Sequence, residues 1–387
     1  MMLIGVAVFT AGSLLGAVAP SPAVIMMART IQALGASAYT PAAAAVLIAA
    51  FPPERLATAI GVWAVTGGVS SALGPSVGGL VVGWGGWRWA FWLNIPVGVL
   101  VLVLGVRYLP ATRGDKTRAV PDPFGALLTM IGISAITLAV VQNKHHDGWQ
   151  WYGRWTLAST AIGLAVLAWF VARCRRQPNP LLDLDLFHIT NVRLGVAGTF
   201  VIALSWFCIN WGIVQFTISS WGWTPFHAGV ATAPIALFSG VIGIYAGSVA
   251  SRTGHRPFIL PGSIATIATA VFFYVTVDNT PKQWSVIVPG SILLGLSTGL
   301  VFPSFIATSL RDVPHDRHAV GSGINFMTQR IGTTFGVALA ITFLSSADGV
   351  AGLRRTLTVA IVGAAICFLI GLRVDTRPAR GQQAVGR

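Results

Sequence analysis

Charged residues are scarce in this sequence, and acidic residues are the scarcest of them. Only 9% of the 387 residues are charged and 54% are hydrophobic, whereas a soluble domain carries about 25% charged residues. Asp and Glu together number 11 against 25 Lys and Arg, and Glu54 is the single glutamate. These proportions exclude a water-soluble globule and predict an all-α integral membrane protein whose apolar side chains face the lipid bilayer.

Cysteine and the common catalytic motifs are equally sparse. The three cysteines, Cys174, Cys208 and Cys367, are far apart and form no CxxC pattern, so neither a disulfide framework nor a zinc site is predicted. The sequence contains no HExxH or Walker A motif, and no GxSxG or GxGxxG motif at a predicted strand-to-helix turn. We therefore expect no enzyme, no cofactor and no metal. The net charge of +14 is spread along the chain and does not predict a nucleic-acid partner.

Apolar segments near the ~20 residues that cross the hydrocarbon recur along the whole chain. Each must be helical, because lipid offers no partner for a backbone N–H or C=O group. The sequence predicts twelve spans, at 3–19, 23–47, 58–82, 90–107, 123–142, 155–172, 194–216, 227–249, 258–277, 284–306, 321–345 and 355–373.

Basic residues are distributed unequally between the two sets of loops. Of the 25 Lys and Arg, 17 fall on the side of the chain termini, 6 on the other side and 2 inside spans. The positive-inside rule then places both termini in the cytoplasm of a plasma-membrane protein. The excess of Arg over Lys indicates a GC-rich bacterial genome. No Asp or Glu falls well inside a predicted span.

The stretch 61–98 carries two groups of residues that identify a family. The first is glycine-rich and the second is rich in tryptophan: Gly67, Gly68, Gly74, Pro75, Gly78 and Gly79, then Trp87, Arg88, Trp89, Phe91, Asn94, Pro96 and Gly98. They resemble the antiporter motif of the fifth span, and the signature that follows it, in the fourteen-span drug:proton antiporters of the major facilitator superfamily.

Gly74, Pro75 and Gly78 also have a physical interpretation. Glycines four residues apart let a second helix approach backbone to backbone, and proline removes one hydrogen bond of the helix and permits a bend. We expect such an approach at Gly74 and Gly78. Ordinary helix packing is the alternative interpretation of the same spacing.

The second span resembles the RxxQGxG motif of the same family, with Ala33 where glycine is usual. Arg29 and Gln32 lie on one face of the helix, and the resemblance implies a role for Arg29 in proton coupling. An arginine at this depth costs about 2.5–3.5 kcal/mol, so we expect Arg29 and Arg330 to be buried cations that lack an acidic partner. Extension of the Arg29 side chain to the headgroups is the alternative.

Two further stretches resemble family motifs. Residues 247–256 resemble the loop motif GxxxDRxGRR, with Ser251 in place of Asp and His255 in place of Arg; the matching residues are Gly247, Arg252, Gly254 and Arg256. Residues 321–338 resemble the thirteenth span of the family, in which Gln329 and Arg330 carry the match.

The numbering of the resemblance leaves two family spans without a counterpart. If 61–98 corresponds to spans five and six, the twelve predicted spans correspond to spans three to fourteen. In relatives, a carboxylate in the first span is implied in proton coupling. Our hypothesis is therefore that this chain is incomplete and cannot use a proton gradient. Whether Met1 is the true start stays open.

The sequence is predicted to divide into four parts. They are four spans of an N-terminal bundle in 1–107, two extra spans in 108–193, a six-helix bundle in 194–373 and a polar tail in 374–387.

Polar side chains well inside spans are the candidates for a proton and substrate path. They are Arg29, Gln32, Trp206, Asn210, Gln215, Asn325, Gln329 and Arg330. Hydrogen bonding between helices of one bundle is an equally weighted alternative for each of them.

The function that the resemblance implies is export of hydrophobic or amphipathic small molecules by alternating access, proton-coupled in a complete chain. The alternatives are a truncated membrane remnant that does not transport and a transporter for a dedicated metabolite.

Overall fold

A computed structural model of the protein describes residues 2–50, 74, 77–108, 122–142, 153–177, 182–314, 317–346 and 349–374. All regular structure in these ranges is helical, and they contain no β-strand. The all-α fold class is therefore confirmed.

The helices follow one another with short connections. In chain order they are α1 (Met2–Ala17), α2 (Pro22–Ala50), α3 (77–85), α4 (Trp89–Trp92), α5 (Asn94–Tyr108), α6 (Pro123–Val141), α7 (Arg154–Cys174), a 3-10 helix (Leu184–His188), α8 (Thr190–Ser219), α9 (Pro225–Thr232), α10 (Pro234–Thr253), α11 (Arg256–Thr276), a π-helical turn (Gln283–Ile287), α12 (Val288–Leu310), α13 (His318–Ser346) and α14 (Gly349–Arg373).

Eight helical segments of the described residues are long and apolar enough to cross a membrane. They are Trp89–Tyr108, Phe124–Val141, Arg154–Cys174, Thr190–Ser219, Pro225–Gly247, Arg256–Thr276, Gln283–Leu310 and Gly349–Arg373. The predicted spans in α1, α2 and α13 also coincide with helices, of 16, 29 and 29 residues. The predicted span 58–82 falls mostly outside the described residues.

Three of the predicted spans are interrupted near a proline. Leu93 forms a turn three residues before Pro96, Ala233 forms a turn before Pro234, and the π-helical turn ends just before Pro289. Proline has no N–H to donate and its ring displaces the carbonyl four residues earlier, so each helix changes its hydrogen-bond pattern there.

The chain divides into two compact units. Unit 1 comprises Met1–Lys116 and Thr224–Ala233, and unit 2 comprises Thr117–Trp223 and Pro234–Arg387. The two extra spans, α6 and α7, thus group with the C-terminal helices, since Thr342 on α13 donates a 2.7 Å hydrogen bond to the carbonyl of Val140 on α6. The segment that contains α9 groups with unit 1, although the sequence assigns it to the C-terminal bundle.

Glycine allows the closest backbone approach in unit 1. A β-carbon on Gly12 of α1 would lie 2.8 Å from the backbone nitrogen of Gln32 on α2, and one on Gly35 would lie 2.5 Å from that of Phe9. No side chain fits at such a distance, so α1 and α2 pack backbone to backbone.

Helix α8 lies at the centre of unit 2 and packs against α12, α13 and α14. Its side chain Ile202 belongs to a core with Ile259, Val301, Phe305 and Cys367, all at most 1% exposed. This core fixes the polar side chains of α8 and α12 relative to one another.

Candidate functional site

The polar site of unit 1 is a chain of hydrogen bonds from α1 to α2. Nε2 of Gln32 donates to Oγ of Ser13 at 2.7 Å, and Nη1 of Arg29 donates to Oε1 of Gln32 at 3.1 Å. The guanidinium of Arg29 also lies 4.4 Å from the ring centroid of Phe91. Gln32 is buried while Arg29 is exposed, so the chain links the helix interface to the surface of the unit.

Neither Arg29 nor Arg330 is enclosed by the other described helices, and their expected place as cations inside the membrane stays a prediction. Arg29 is exposed because Gln32 occupies the buried part of the helix face that the two residues share. The partners of Arg29 are an amide and an aromatic face. An aromatic face attracts a cation even where no carboxylate is present.

The tryptophan-rich signature forms the start of α4 and α5. The Arg88 guanidinium lies 4.4 Å from the Trp87 ring centroid and donates to the carbonyl of Ala19 at 3.0 Å. Trp89 is half exposed. Asn94 and Pro96 lie in the first turn of α5. Proline costs no hydrogen bond there, because the backbone N–H groups of a first turn have no partner within the helix.

The glycine motif makes a close approach at a different residue from the one expected. Among the described residues nothing lies within 4 Å of a β-carbon on Gly74 or Gly78. A β-carbon on Gly79 would lie 2.5 Å from the backbone nitrogen of Phe226 on α9. The structure thus shows a close approach at Gly79, whereas the expected approach at Gly74 and Gly78 has no partner among the described residues and stays a prediction. Gly67, Gly68 and Pro75 lie outside the described residues.

Trp206 is the centre of the polar and aromatic group in unit 2. Its indole Nε1 donates to Oγ1 of Thr298 at 2.6 Å, and its ring meets Phe207 and Phe302 edge to face, with centroids 4.7 and 6.4 Å apart. Asn210 lies one turn along α8 and is half buried. Trp206 and Asn210 thus share one helix face. Gln215, also half buried, lies on another face of α8.

Asn325 is buried, at 2% exposed, and connects three helices. Its Nδ2 donates to Oγ of Ser309 on α12 at 2.7 Å and to Oγ1 of Thr199 on α8 at 3.3 Å. The structure therefore uses its amide for bonding between helices within the unit. Sequence reasoning missed Thr199 and Ser309 because hydroxyl side chains are common in helices of this apolar kind.

Gln329 and Arg330 lie further along α13. Gln329 is half buried and Arg330 is exposed, and neither side chain makes a hydrogen bond to another residue in the described part of the chain. Phe326 and Thr334 are exposed on the same face as Arg330.

The loop motif connects α10 to α11. Gly254 ends α10 with φ of 83°, a left-handed conformation that glycine adopts without a steric penalty. His255 has a buried Nδ1 atom without a hydrogen bond, and burial together with the charge of Arg311 lowers the pKa of its imidazole. Gly247 is exposed on α10 and Arg256 begins α11; the side chain of Arg252 is outside the described residues.

One ion pair that the sequence did not predict joins the ends of α6 and α7. Arg173 donates from Nε and Nη2 to the two carboxylate oxygens of Asp122, at 3.0 and 3.2 Å. These hydrogen bonds hold the pKa of Asp122 below its usual value, which makes this carboxylate a poor proton carrier near neutral pH. No α-helix bounded above contains Asp or Glu.

The sequence matches the Major Facilitator Superfamily over residues 1–337 and, overlapping this range, over 195–386. This chain belongs to the Major Facilitator Superfamily. The membership agrees with the family resemblance of 61–98 and with the multi-pass helical fold.

Relatives within the superfamily include bacterial resistance proteins. The chain is 30% identical over 339 residues to the multidrug resistance protein Stp of Mycobacterium tuberculosis, which covers 87% of this chain and 62% of that protein. It is 27% identical to the methylenomycin A resistance protein of Streptomyces coelicolor, over 97% of this chain and 78% of that protein. The chain thus spans less than two thirds of the length of Stp.

Solved transporters share the fold at low sequence identity. A crystal structure of a POT family transporter in complex with 5-aminolevulinic acid superposes with a TM-score of 0.68, at 13% identity, over 96% of this chain and 81% of that one. An auto-inhibited POT family peptide transporter gives a TM-score of 0.59 at 16% identity, over 98% of this chain and 84% of that one.

Proposed function

We propose that this protein exports hydrophobic or amphipathic small molecules across the plasma membrane by alternating access. The observation that carries the proposal is the similarity to resistance proteins over 87% and 97% of the chain. The Trp206 face supports it, since a half-buried indole beside Phe207 and Phe302 offers apolar contact area with a few polar groups. Arg29, Gln32, Asn210, Gln215, Gln329 and Arg330 are the proposed polar groups of the path.

The proposed orientation places both termini in the cytoplasm. The excess of Lys and Arg in one set of loops supports it. Single cysteines introduced near residues 175 and 317 are expected to react only from the cytoplasmic side, and one near 280 only from outside. Reaction in the reverse pattern would contradict this orientation.

Export is tested by dye retention in bacterial cells that lack their main exporters. We expect cells that are loaded with a hydrophobic dye and moved to dye-free medium to lose the dye faster when they express this chain than when they carry an empty vector. Trp206→Ala is expected to abolish the difference, whereas Trp169→Ala, an exposed tryptophan on α7, should not. Equal dye retention with and without the protein would refute the proposal and favour a remnant that does not transport.

Proton coupling of the complete protein is part of the proposal and has its own test. A coupled proton needs a group whose charge changes within the membrane, which Arg cannot provide. The α-helices described here contain no Asp or Glu, so we propose that the carboxylate comes from another part of the complete protein. In inverted vesicles with an imposed pH gradient, this chain alone should not concentrate dye, and gradient-driven accumulation would contradict the proposal.

A further inference from the structure

An open cleft lies in unit 2 where the end of α11 meets the start of α14. Its volume is ≈ 490 Å³, and its lining includes Tyr274, Asn279, Arg354, Arg355 and Thr358. The lining thus combines two guanidinium groups with a phenol and an amide, which can donate hydrogen bonds to an anion. The hydroxyl of Thr358 donates to the carbonyl oxygen of Arg354 at 2.9 Å, so its oxygen is available as an acceptor.

The first arginine is held in place by α11. Nε of Arg354 donates to the carbonyl oxygen of Tyr274 at 3.3 Å, and its guanidinium carbon lies 5.4 Å from the Tyr274 ring centroid. The nitrogen Nε is engaged in this contact, which leaves the two terminal nitrogens for a ligand. Arg355 is exposed and makes no hydrogen bond or ion pair to another described residue.

Asp278, which precedes Asn279 in the sequence, does not neutralise the positive charge of the cleft. Asp278 forms an ion pair with Lys282, and the hydrogen bonds from Lys282 and Thr280 lower the pKa of Asp278 to about 2. Its charge is therefore matched within its own loop. Asp348 lies outside the described residues.

The two arginines lie on the side of the membrane where basic residues are few. By the loop distribution, Arg354 and Arg355 are two of the six Lys and Arg on the outer side. The positive-inside rule gives no reason for a cluster there. A ligand bound at the outer surface would explain why two arginines are clustered there.

Exposed apolar residues extend from the cleft along both helices. On α11 they include Val275 (69% exposed) and Val271 (43%), and on α14 they include Val362 (55%) and Ile366 (42%). Each pair recurs at helical spacing on a single face. An anion that entered the cleft with attached acyl chains could lay those chains along these faces.

We propose that this cleft binds the phosphate of an anionic phospholipid of the outer leaflet. Arg355 and the terminal nitrogens of Arg354 contact the phosphate, because guanidinium groups match phosphate oxygens in geometry and charge. Asn279 and Thr358 contact the polar part of the headgroup. The acyl chains lie along the apolar faces of α11 and α14, which distinguishes the lipid from a free phosphate.

The test measures lipid binding to the purified full chain in detergent by native mass spectrometry. Dioleoylphosphatidylglycerol is expected to bind more tightly than dioleoylphosphatidylcholine. The double variant Arg354→Gln/Arg355→Gln should reduce this preference about thirtyfold and Arg355→Gln alone about fivefold, at ~1 kcal/mol for each arginine. Arg193→Gln, at an exposed site elsewhere in unit 2, is the matched control and should leave the preference unchanged.

Three results would overturn the proposal. One is an unchanged preference in the variants, with Arg355→Gln deciding the case if the double variant does not fold. Another is an equal loss in Arg193→Gln, which would indicate a general effect of charge. The third is equally tight binding of glycerol phosphate, which would show that the cleft takes a free anion and that the acyl chains contribute nothing.

Discussion

Units 1 and 2 each contain a buried amide that bonds to hydroxyl groups of neighbouring helices, but the two amides are used differently. Gln32 of unit 1 donates to Ser13 and accepts from Arg29, which is exposed. Asn325 of unit 2 donates to Ser309 and Thr199, which are both buried. One hydrogen-bond chain reaches a charge at the surface of its unit, and the other stays within the helix interfaces.

The difference separates two meanings of a polar residue inside a membrane span. A buried amide that is satisfied by neighbouring helices contributes to packing, at about 0.6 kcal/mol for a typical interhelical bond. An amide that orients an exposed guanidinium can place that guanidinium for contact with a substrate. We therefore expect Asn325 to matter for stability and Gln32 to matter for transport.

The largest effects should come from glycines beside the two amides. A β-carbon on Gly12 would lie 2.8 Å from the Gln32 nitrogen, and one on Gly195 would lie 2.5 Å from the Ser309 nitrogen. Gly12→Leu and Gly195→Leu should each destabilise the fold by about 3 kcal/mol or more. The yield and the thermal stability of purified protein measure this effect.

Gly78→Leu is the control for both glycine variants. No described atom lies within 4 Å of a β-carbon at Gly78, so this variant should give near-parental yield. A Gly78→Leu protein as unstable as Gly12→Leu would show that backbone approach is not what distinguishes these positions.

Leucine in place of each amide should then separate transport from stability. Gln32→Leu should lower dye export about tenfold, because Arg29 loses the acceptor that orients it, with little change in thermal stability. Asn325→Leu should lower the free energy of unfolding by about 1 kcal/mol, because two interhelical hydrogen bonds are lost. Export per folded molecule should stay unchanged in Asn325→Leu, and the opposite pattern would reverse the assignment of the two amides.

A smaller effect is expected from lysine in place of the two span arginines. Arg29→Lys keeps the charge but loses the planar guanidinium that lies over Phe91, so export should fall about threefold. Arg330 has no such contact among the described residues, and Arg330→Lys should export at the parental rate. Equal losses in the two variants would remove the distinction drawn between the units.

The smallest effect concerns pH and the loop between α10 and α11. Because burial and Arg311 lower the pKa of His255, the unfolded chain binds this proton more readily than the native protein. Native stability should thus decrease as pH falls through the ordinary histidine value near 6.5. His255→Gln should reduce the decrease in thermal stability between pH 8 and pH 5.5, and an unreduced decrease would exclude His255 as its source.

Sequence patterns predicted the helical class and the family, because apolar length and the motifs of 61–98 are local properties. They did not predict the Asp122–Arg173 pair or the Asn325 contacts, whose partners are up to 126 residues apart in the chain. They named Gly74 and Gly78 for a close approach and missed the one at Gly79, because a glycine pattern identifies a helix that can pack closely but not the direction of its partner.

The most direct test of the account is substrate flux through the purified 387-residue chain in liposomes. We expect a hydrophobic dye to cross these membranes faster than those of empty liposomes, with a rate that saturates with dye concentration and falls at least tenfold in Trp206→Ala. A rate equal to that of empty liposomes would contradict the proposed export function, and parental flux in folded Trp206→Ala would contradict the proposed path.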